Sequence, residues 1–379
     1  MKMKIRFMKR IFYVSLITLF CSYHTKAQEN YIAVNQKNFA ATNETSSGNV
    51  NPQYSLLERK LSELESIHNN GGWGKIVIPS KKIFRPGDRN ATILQLKQRL
   101  YLSGYLDQPD TSTLYTKELL PAVKKLQKQY GFKEDGLIFT EFIRELNIPV
   151  ETRIRQVKLN MDRIQKMPLV TSGTRLIANI PEYKLHVYEG EEKVFDIDIV
   201  VGKESTATHT FNDEMKHIVF SPYWNVPESI IRNEILPSVR RDRTYLSRNG
   251  YEQTGTENGL PKIRQKPGKN NSLGLVKFVF PNSHNIYFHD TPAKSLFNAR
   301  KRAFSHGCIR LAEPMKLASY LLKGQAGWDE AAITIAMNSG KEQWVPLPQS
   351  IPVSIVYITT WVDESGELNF REDIYGLDR

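Results

Sequence analysis

Phe195-Asp196-Ile197-Asp198-Ile199-Val200-Val201 puts an apolar side chain at every second position, with Asp196 and Asp198 between them. Side chains alternate faces along a β-strand, so this stretch predicts a strand that is buried on one side and wet on the other. The same period returns at Val276, Phe278 and Phe280, in Ile286-Tyr287-Phe288-His289, and again near Val353–Tyr357. In Ile286–His289 the pattern sets Tyr287 and His289 on one face and Ile286 and Phe288 on the other.

Upstream of about residue 175 the period is 3.6 instead. Leu57, Leu61 and Leu64 mark one face of a short helix that Asn69-Asn70-Gly71-Gly72 stops. Ile93, Leu96 and Leu100, then Leu119, Val123, Leu126 and Tyr130, then Phe142 and Leu146 predict a compact helical unit over 84–148. Pro86-Gly87-Asp88 and Asp135-Gly136 supply its turns, and Ile154, Val157, Met161 and Ile164 form a further amphipathic helix closed by Pro168. Residues 223–272 separate two of the strand patterns and are polar, basic and rich in Gly, Asn and Pro. A stretch of this length is long for a structureless loop in a compact domain, so an inserted subdomain or lid is expected there. Together these patterns predict an α+β chain: a β-rich domain with an insert, preceded by a small helical domain.

At 379 residues the chain exceeds one ordinary domain. Its 40% hydrophobic and 24% charged content excludes a wholly disordered chain and a multi-span membrane protein. The net charge of +12 is concentrated at the start: residues 1–27 hold six Lys/Arg and no acid, and without them 46 basic residues face 40 acidic ones. The remainder is mildly basic, which suits an acidic cell-surface polymer and calls for no nucleic acid. Lys2, Lys4, Arg6, Lys9 and Arg10 followed by apolar Ile11–Cys21 and then Thr25-Lys26-Ala27 predict a secretory signal. Phe20 before Cys21 argues against lipidation, so the exported chain, expected in the periplasm or cell envelope, attaches to a membrane only if the signal is retained. Residues 28–53 read as a polar, flexible leader. Cleavage leaves Cys308 as the one cysteine, which excludes a disulfide scaffold.

Chemistry concentrates at Ser305-His306-Gly307-Cys308-Ile309-Arg310-Leu311, with His289 nineteen residues before the cysteine. A thiol is nucleophilic as its thiolate, so it needs a base or a positive charge beside it, and His289 at a strand end is the candidate. Asp290 points to the opposite face from His289, so a backbone carbonyl is the expected orienter of the imidazole. The amides around Gly307 and Cys308, with the Tyr287 hydroxyl, are candidates for an oxyanion site. Arg310 is either a substrate-carboxylate reader, a modulator of the thiol or a plain surface charge. His284, His289, His306 and Cys308 have zinc-ligand chemistry, but neither HExxH nor a paired-cysteine motif is present, and no metal is expected.

The spacing from His289 to Ser305-His306-Gly307-Cys308 resembles the signature of the YkuD-type L,D-transpeptidases, which cross-link the bacterial cell wall. Ile286–Pro292 is similar to the strand that delivers their catalytic histidine. Phe220–Pro227, Pro267–Phe278 and the tail Asp373-Ile374-Tyr375-Gly376 resemble the larger YcbB-like subgroup. The resemblance implies a catalytic domain over 175–340 with a lid at 223–272, and a peptidoglycan-binding-like helical domain at 84–148. It also implies a linker helix at 149–174 and scaffold segments at 28–83 and 341–379. It implies that Cys308 attacks the carbonyl before a terminal D-Ala of a tetrapeptide stem and passes the acyl group to an amine of a second stem, a 3→3 cross-link. His289 would then be the acid/base, and Tyr287, Ser305, His306, Gly307 and Arg310 would line the substrate and oxyanion pocket. The implied partners are stem peptides and glycan strands, with carbapenems acylating Cys308; no cofactor is implied. Two departures stand out: many relatives carry Asn at the place of Arg310, and Gln165-Lys166-Met167-Pro168 falls where relatives often carry tryptophans. An L,D-carboxypeptidase, in which water takes the acyl group, and a non-catalytic wall-binding protein remain as alternatives. A papain-like or NlpC-type peptidase would place the cysteine before the histidine, the reverse of the order here.

Overall fold

The computed structural model describes residues 51–80 and 83–379. The expected signal at 1–27 and the polar leader up to residue 50 lie outside the described residues. Among those described, no helix is long and apolar enough to cross a membrane.

The chain is α+β. A nine-stranded mixed sheet runs in the order Ala303–Ser305, Glu192–Gly202, Ile309–Leu311, Phe288–His289, Val276–Val279, Phe211–Phe220, Gln343–Val356, Thr174–Asn179 and Lys184–Glu189. Lys184–Glu189 also pairs with Glu192–Gly202, so the hydrogen-bonded circuit closes on itself. Closure leaves few open edges. Glu192–Gly202 can serve both ends because it is long, pairing with one neighbour through Asp198 and with the next from Ile199 onward. The alternation seen in the sequence holds for Phe195–Ile199, but Val200 and Val201 are both buried. There the strand is paired with Ile309–Leu311 and with Ala303–Ser305. Phe278, Phe280 and Phe288 fill the core beneath the site, with the Phe280 and Phe288 rings edge to face at 4.9 Å between centroids.

A second core is helical. It joins Leu57 and Leu64 of helix Pro52–Asn69 to Leu96, Leu100, Val123, Leu126, Phe142 and Val157, and to Val356, Ile358, Val362 and Phe370 near the C-terminus. Gln53 fastens the first helix to the C-terminal hairpin, donating to the Val362 carbonyl at 2.7 Å and accepting from its amide at 3.0 Å. Two cations that the helical pattern would place at the surface are buried here. Arg99 donates to the carbonyls of Trp73, Leu146 and Gly74, and Lys97 pairs with Asp110 at 2.5 Å. Both groups are therefore satisfied in the core.

The insert has its own small core of Val226, Ile230, Ile231, Ile235 and Ile263. It is not simply helical. Three short helical runs between Glu228 and Arg248, with a π-helical turn at Ile231–Ile235, pack on a three-stranded sheet of Trp224–Asn225, Leu260–Gln265 and Tyr251–Glu257. The hairpin turns at Asn258-Gly259, where both residues have positive φ (50° and 74°), the conformation that favours this dipeptide in tight hairpins.

Candidate active site

The two halves of the motif meet by strand pairing. Phe288–His289 lies parallel to Ile309–Leu311, with Phe288 opposite Ile309 and His289 opposite Arg310. The Ile309 amide donates to the Tyr287 carbonyl at 3.2 Å, which draws Cys308 alongside Tyr287. Opposed residues in a ladder share a face, so Tyr287, His289, Cys308 and Arg310 project together while Ile286, Phe288, Ile309 and Leu311 enter the core. The Tyr287 and His289 rings are edge to face at 5.7 Å between centroids.

His289 is buried, and its Nδ1 lies 2.5 Å from the Asp290 carbonyl oxygen. A carbonyl can only accept, so Nδ1 carries the proton and Nε2 keeps its lone pair. Burial, then the positive charge of Arg310, Lys277 and Lys294, lowers the His289 pKa to about 3 against the opposing hydrogen bond to Asp290. The imidazole is therefore neutral at physiological pH. The Asp290 carboxylate faces away, accepting from the Leu275 amide at 2.9 Å and pairing with Lys294 at 2.7 Å. Gly274 is required at that contact, since a Cβ there would lie 2.3 Å from Asp290 Oδ2.

Cys308 is half-buried, and its Sγ lies 3.6 Å from the Asn285 carbonyl. Burial pushes its thiol pKa up, against the Tyr287 amide and hydroxyl and the charge of Arg310. Burial likewise drives the Tyr287 phenol well above its ordinary pKa, with the neighbouring Cys308 adding to the shift and the Trp224 side chain opposing it. Resting thiol and imidazole are thus both uncharged.

The loop carrying Cys308 is braced from below. Gly307 has φ 112°, a left-handed conformation suited to glycine, and its carbonyl accepts from Thr208 Oγ1 at 2.8 Å. Ser305 is buried, donates its hydroxyl to the Cys308 carbonyl at 2.5 Å and accepts the Gly307 amide at 3.1 Å. The Ser305 side chain is thereby committed inside the loop rather than to a ligand, and the Gly307 amide already has an acceptor. The Tyr287 hydroxyl, by contrast, is beside the Cys308 thiol. Thr208 is held in turn by Tyr375, whose hydroxyl accepts from the Thr208 amide at 3.2 Å and donates to the Gly202 carbonyl at 2.6 Å.

His306 turns outward to the insert, where its Nε2 lies 2.8 Å from Glu234 Oε1. The insert therefore reaches the motif at Glu234 and, through Trp224, at Tyr287. His284 does not join the others: it stacks on His209 at 4.5 Å between ring centroids. Among the described residues, no group of three or more His, Cys, Asp or Glu side chains is arranged to hold a metal ion. A cleft of about 1220 Å³ lined by Tyr130, Arg175, His186, Arg300, Trp361 and Arg371 lies elsewhere, between the two large cores, and none of the motif residues borders it.

Three residues that adjoin the candidate site had no signal of their own in the sequence. Asn282 accepts the amides of His284 and Ile286 at 3.0 and 3.1 Å and donates to the carbonyls of Phe280 and Ile286 at 2.8 and 2.7 Å. It shapes the loop that presents the Asn285 carbonyl to Cys308. Glu234 and Lys277 are the others. Their positions depend on the folded insert and on strand register.

Residues 173–335 match the family model for the YkuD L,D-transpeptidase catalytic domain. This segment belongs to the YkuD family. A curated Haemophilus influenzae protein, described provisionally as an L,D-transpeptidase, is 33% identical over 246 residues, which is 60% of this chain and 49% of that protein. The chain thus spans about half the length of the curated relative it matches. Among solved structures, an L,D-transpeptidase from Stackebrandtia nassauensis is 14% identical with a TM-score of 0.29, covering 72% of this chain and 94% of that one. L,D-transpeptidase 3 from Mycobacterium tuberculosis, solved with a faropenem-derived adduct, is 13% identical with a TM-score of 0.25, covering 48% of this chain and 60% of that one. The YkuD segment contains both His289 and the Cys308 loop.

Proposed function

We propose that the protein is an exported, cell-envelope cysteine L,D-transpeptidase of the YcbB-like subgroup that forms 3→3 peptidoglycan cross-links. The observation that carries this reading is the neutral, buried His289, held through Nδ1 by the Asp290 carbonyl on the same sheet face as Tyr287 and Cys308. In this reading 84–148 binds the wall, 223–272 is a lid, and the helix Pro52–Asn69 with 341–379 forms the scaffold.

The chemistry begins from an uncharged pair. As the Cys308 sulfur attacks the carbonyl before the terminal D-Ala, its proton passes to His289 Nε2, so charge appears only as the carbon–sulfur bond forms. The Cys308 amide and the Tyr287 hydroxyl face the developing oxyanion. Collapse breaks the amide C–N bond, the imidazolium protonates the departing D-Ala amine, and a thioester remains. An acceptor amine then attacks the thioester, His289 takes its proton, and the thiol is released as the imidazolium reprotonates the sulfur. Water in place of the amine would make the same site an L,D-carboxypeptidase. In this reading the insert, which contacts Tyr287 through Trp224 and His306 through Glu234, limits water at the thioester and favours transfer over hydrolysis.

The test is product mass spectrometry of the mature protein with purified disaccharide-tetrapeptide beside a Cys308→Ala control. A cross-linked dimer lacking one D-Ala, absent from the control, is expected. Cys308-dependent tripeptide alone would assign the carboxypeptidase, and no Cys308-dependent product would favour a wall-binding protein.

A further inference from the structure

Strand register assembles a row of side chains across the sheet. Trp344 is opposite Val219, Val219 opposite Lys277, Lys277 opposite His289, and His289 opposite Arg310. Residues opposed in this way project from one face, so two cations flank the imidazole, one on each side.

Neither cation has an acidic partner among the described residues. The Lys277 ammonium has no ion pair or hydrogen bond there and lies 5.2 Å from the centroid of the Trp344 ring. Glu342, the carboxylate whose charge acts on it, is spent on the Tyr223 amide at 2.9 Å and the Trp344 indole at 3.2 Å. Arg310 leaves a buried Nε without a partner. Lys294, the third cation whose charge reaches the imidazole, is by contrast paired with Asp290. Half-buried cations left unpaired are costly, and two of them beside the reacting groups form a site suited to anions.

We infer that Lys277 and Arg310 each hold one carboxylate of an anionic acyl-donor peptide, on opposite sides of the scissile carbonyl, with Lys277 a specificity-determining residue. This rests on the Cys308 acyl transfer proposed above. One carboxylate is the C-terminal group of the leaving residue; the other belongs to the acyl side. The Trp344 face, half exposed at the end of the row, supplies an apolar wall beside the Lys277 subsite. Bound carboxylates also offset the positive charge that faces His289, so the donor itself makes its proton acceptor more basic.

The experiment measures D-Ala release and acyl-enzyme mass for wild type, Lys277→Met and Lys277→Arg. The donors are tetrapeptides amidated at one carboxylate at a time. On the free acid, Lys277→Met is expected to lower kcat/KM by about 10- to 100-fold, mainly through KM, as loss of a charge-assisted contact implies. One amidated donor should show the same loss with wild type and little further loss with Lys277→Met, while Lys277→Arg restores most of the rate. An equal loss on every donor, or an unchanged KM on the free acid, would overturn the assignment of Lys277. Matching thermal melting curves for the variants exclude misfolding as the cause. If wild type forms no Cys308-dependent acyl-enzyme with any donor, the acyl-transfer reading itself fails and takes this inference with it.

Discussion

Glu234 Oε1 sits 2.8 Å from His306 Nε2, tying the π-helical turn of the insert to the residue two positions before the nucleophile. Both side chains are partly exposed, so the pair contributes at most about 1 kcal/mol. Glu234→Ala should therefore leave global stability nearly unchanged but speed hydrogen exchange across 228–241 and raise the share of hydrolysis over transfer. Unaltered exchange in that segment would show that the pair does not restrain the insert.

Protonation of His289 sets the acid limit. Its folded pKa of about 3 lies below the ordinary 6.5, so the unfolded chain takes up the proton first. The stability it contributes is complete above pH 6.5 and is lost as the pH falls towards 3. A His289→Gln variant that folds should lose less stability than wild type between neutral and acid pH in urea titrations. His186 has the opposite sign: burial resists its charge, but Glu182 and Asp196 raise it to about 9, and its contribution is lost as pH rises through that value.

Because burial raises the Cys308 thiol, its alkylation rate in the free enzyme should climb with pH past the ordinary thiol value of about 8.5. A rate plateau at neutral pH would instead reveal a preformed thiolate–imidazolium pair. Treatment with a carbapenem should add the mass of one drug molecule to wild type and none to Cys308→Ala.

Asn282 makes four hydrogen bonds to the backbone of its own loop. Asn282→Ala leaves several of these groups without partners and should destabilise the protein by about 1–3 kcal/mol. It should also loosen the Asn285 carbonyl against Cys308, read as faster thiol alkylation in the folded state.

Tyr375→Phe removes a hydroxyl that serves both the Gly202 carbonyl and the Thr208 amide. A several-fold fall in kcat with little change in KM is expected, since Thr208 supports the Gly307 carbonyl from the side away from substrate. A change confined to KM would contradict that placement.

The sheet was legible where burial is one-sided, as at Phe195–Ile199, because alternation there reports directly on which face meets the core. It was not legible at Val200-Val201, where consecutive residues, and so both faces of the strand, are buried. The insert at 223–272 was legible as a unit from its length, but its Asn258-Gly259 hairpin was not singled out within that polar, Gly- and Asn-rich stretch. Cys308 and His289 could be singled out because their spacing is local to two short strands. Lys277 could not, because its place beside His289 is fixed by the pairing of Val276–Val279 with Phe288–His289, which residue types do not encode. Arg99 and Lys97 show the same limit: cations on a helix read as surface until the carbonyls and the carboxylate that hold them are in place.

The brace from Tyr375 through Thr208 to Gly307 also fixes a timetable. Cys308 leaves the ribosome long before Tyr375 does, so the chain can be synthesised past its nucleophile while the floor of the loop is still missing. The site is finished only when residues made well after the nucleophile dock against the sheet, and a nascent chain ending before Tyr375 would carry its thiol in an unsupported loop.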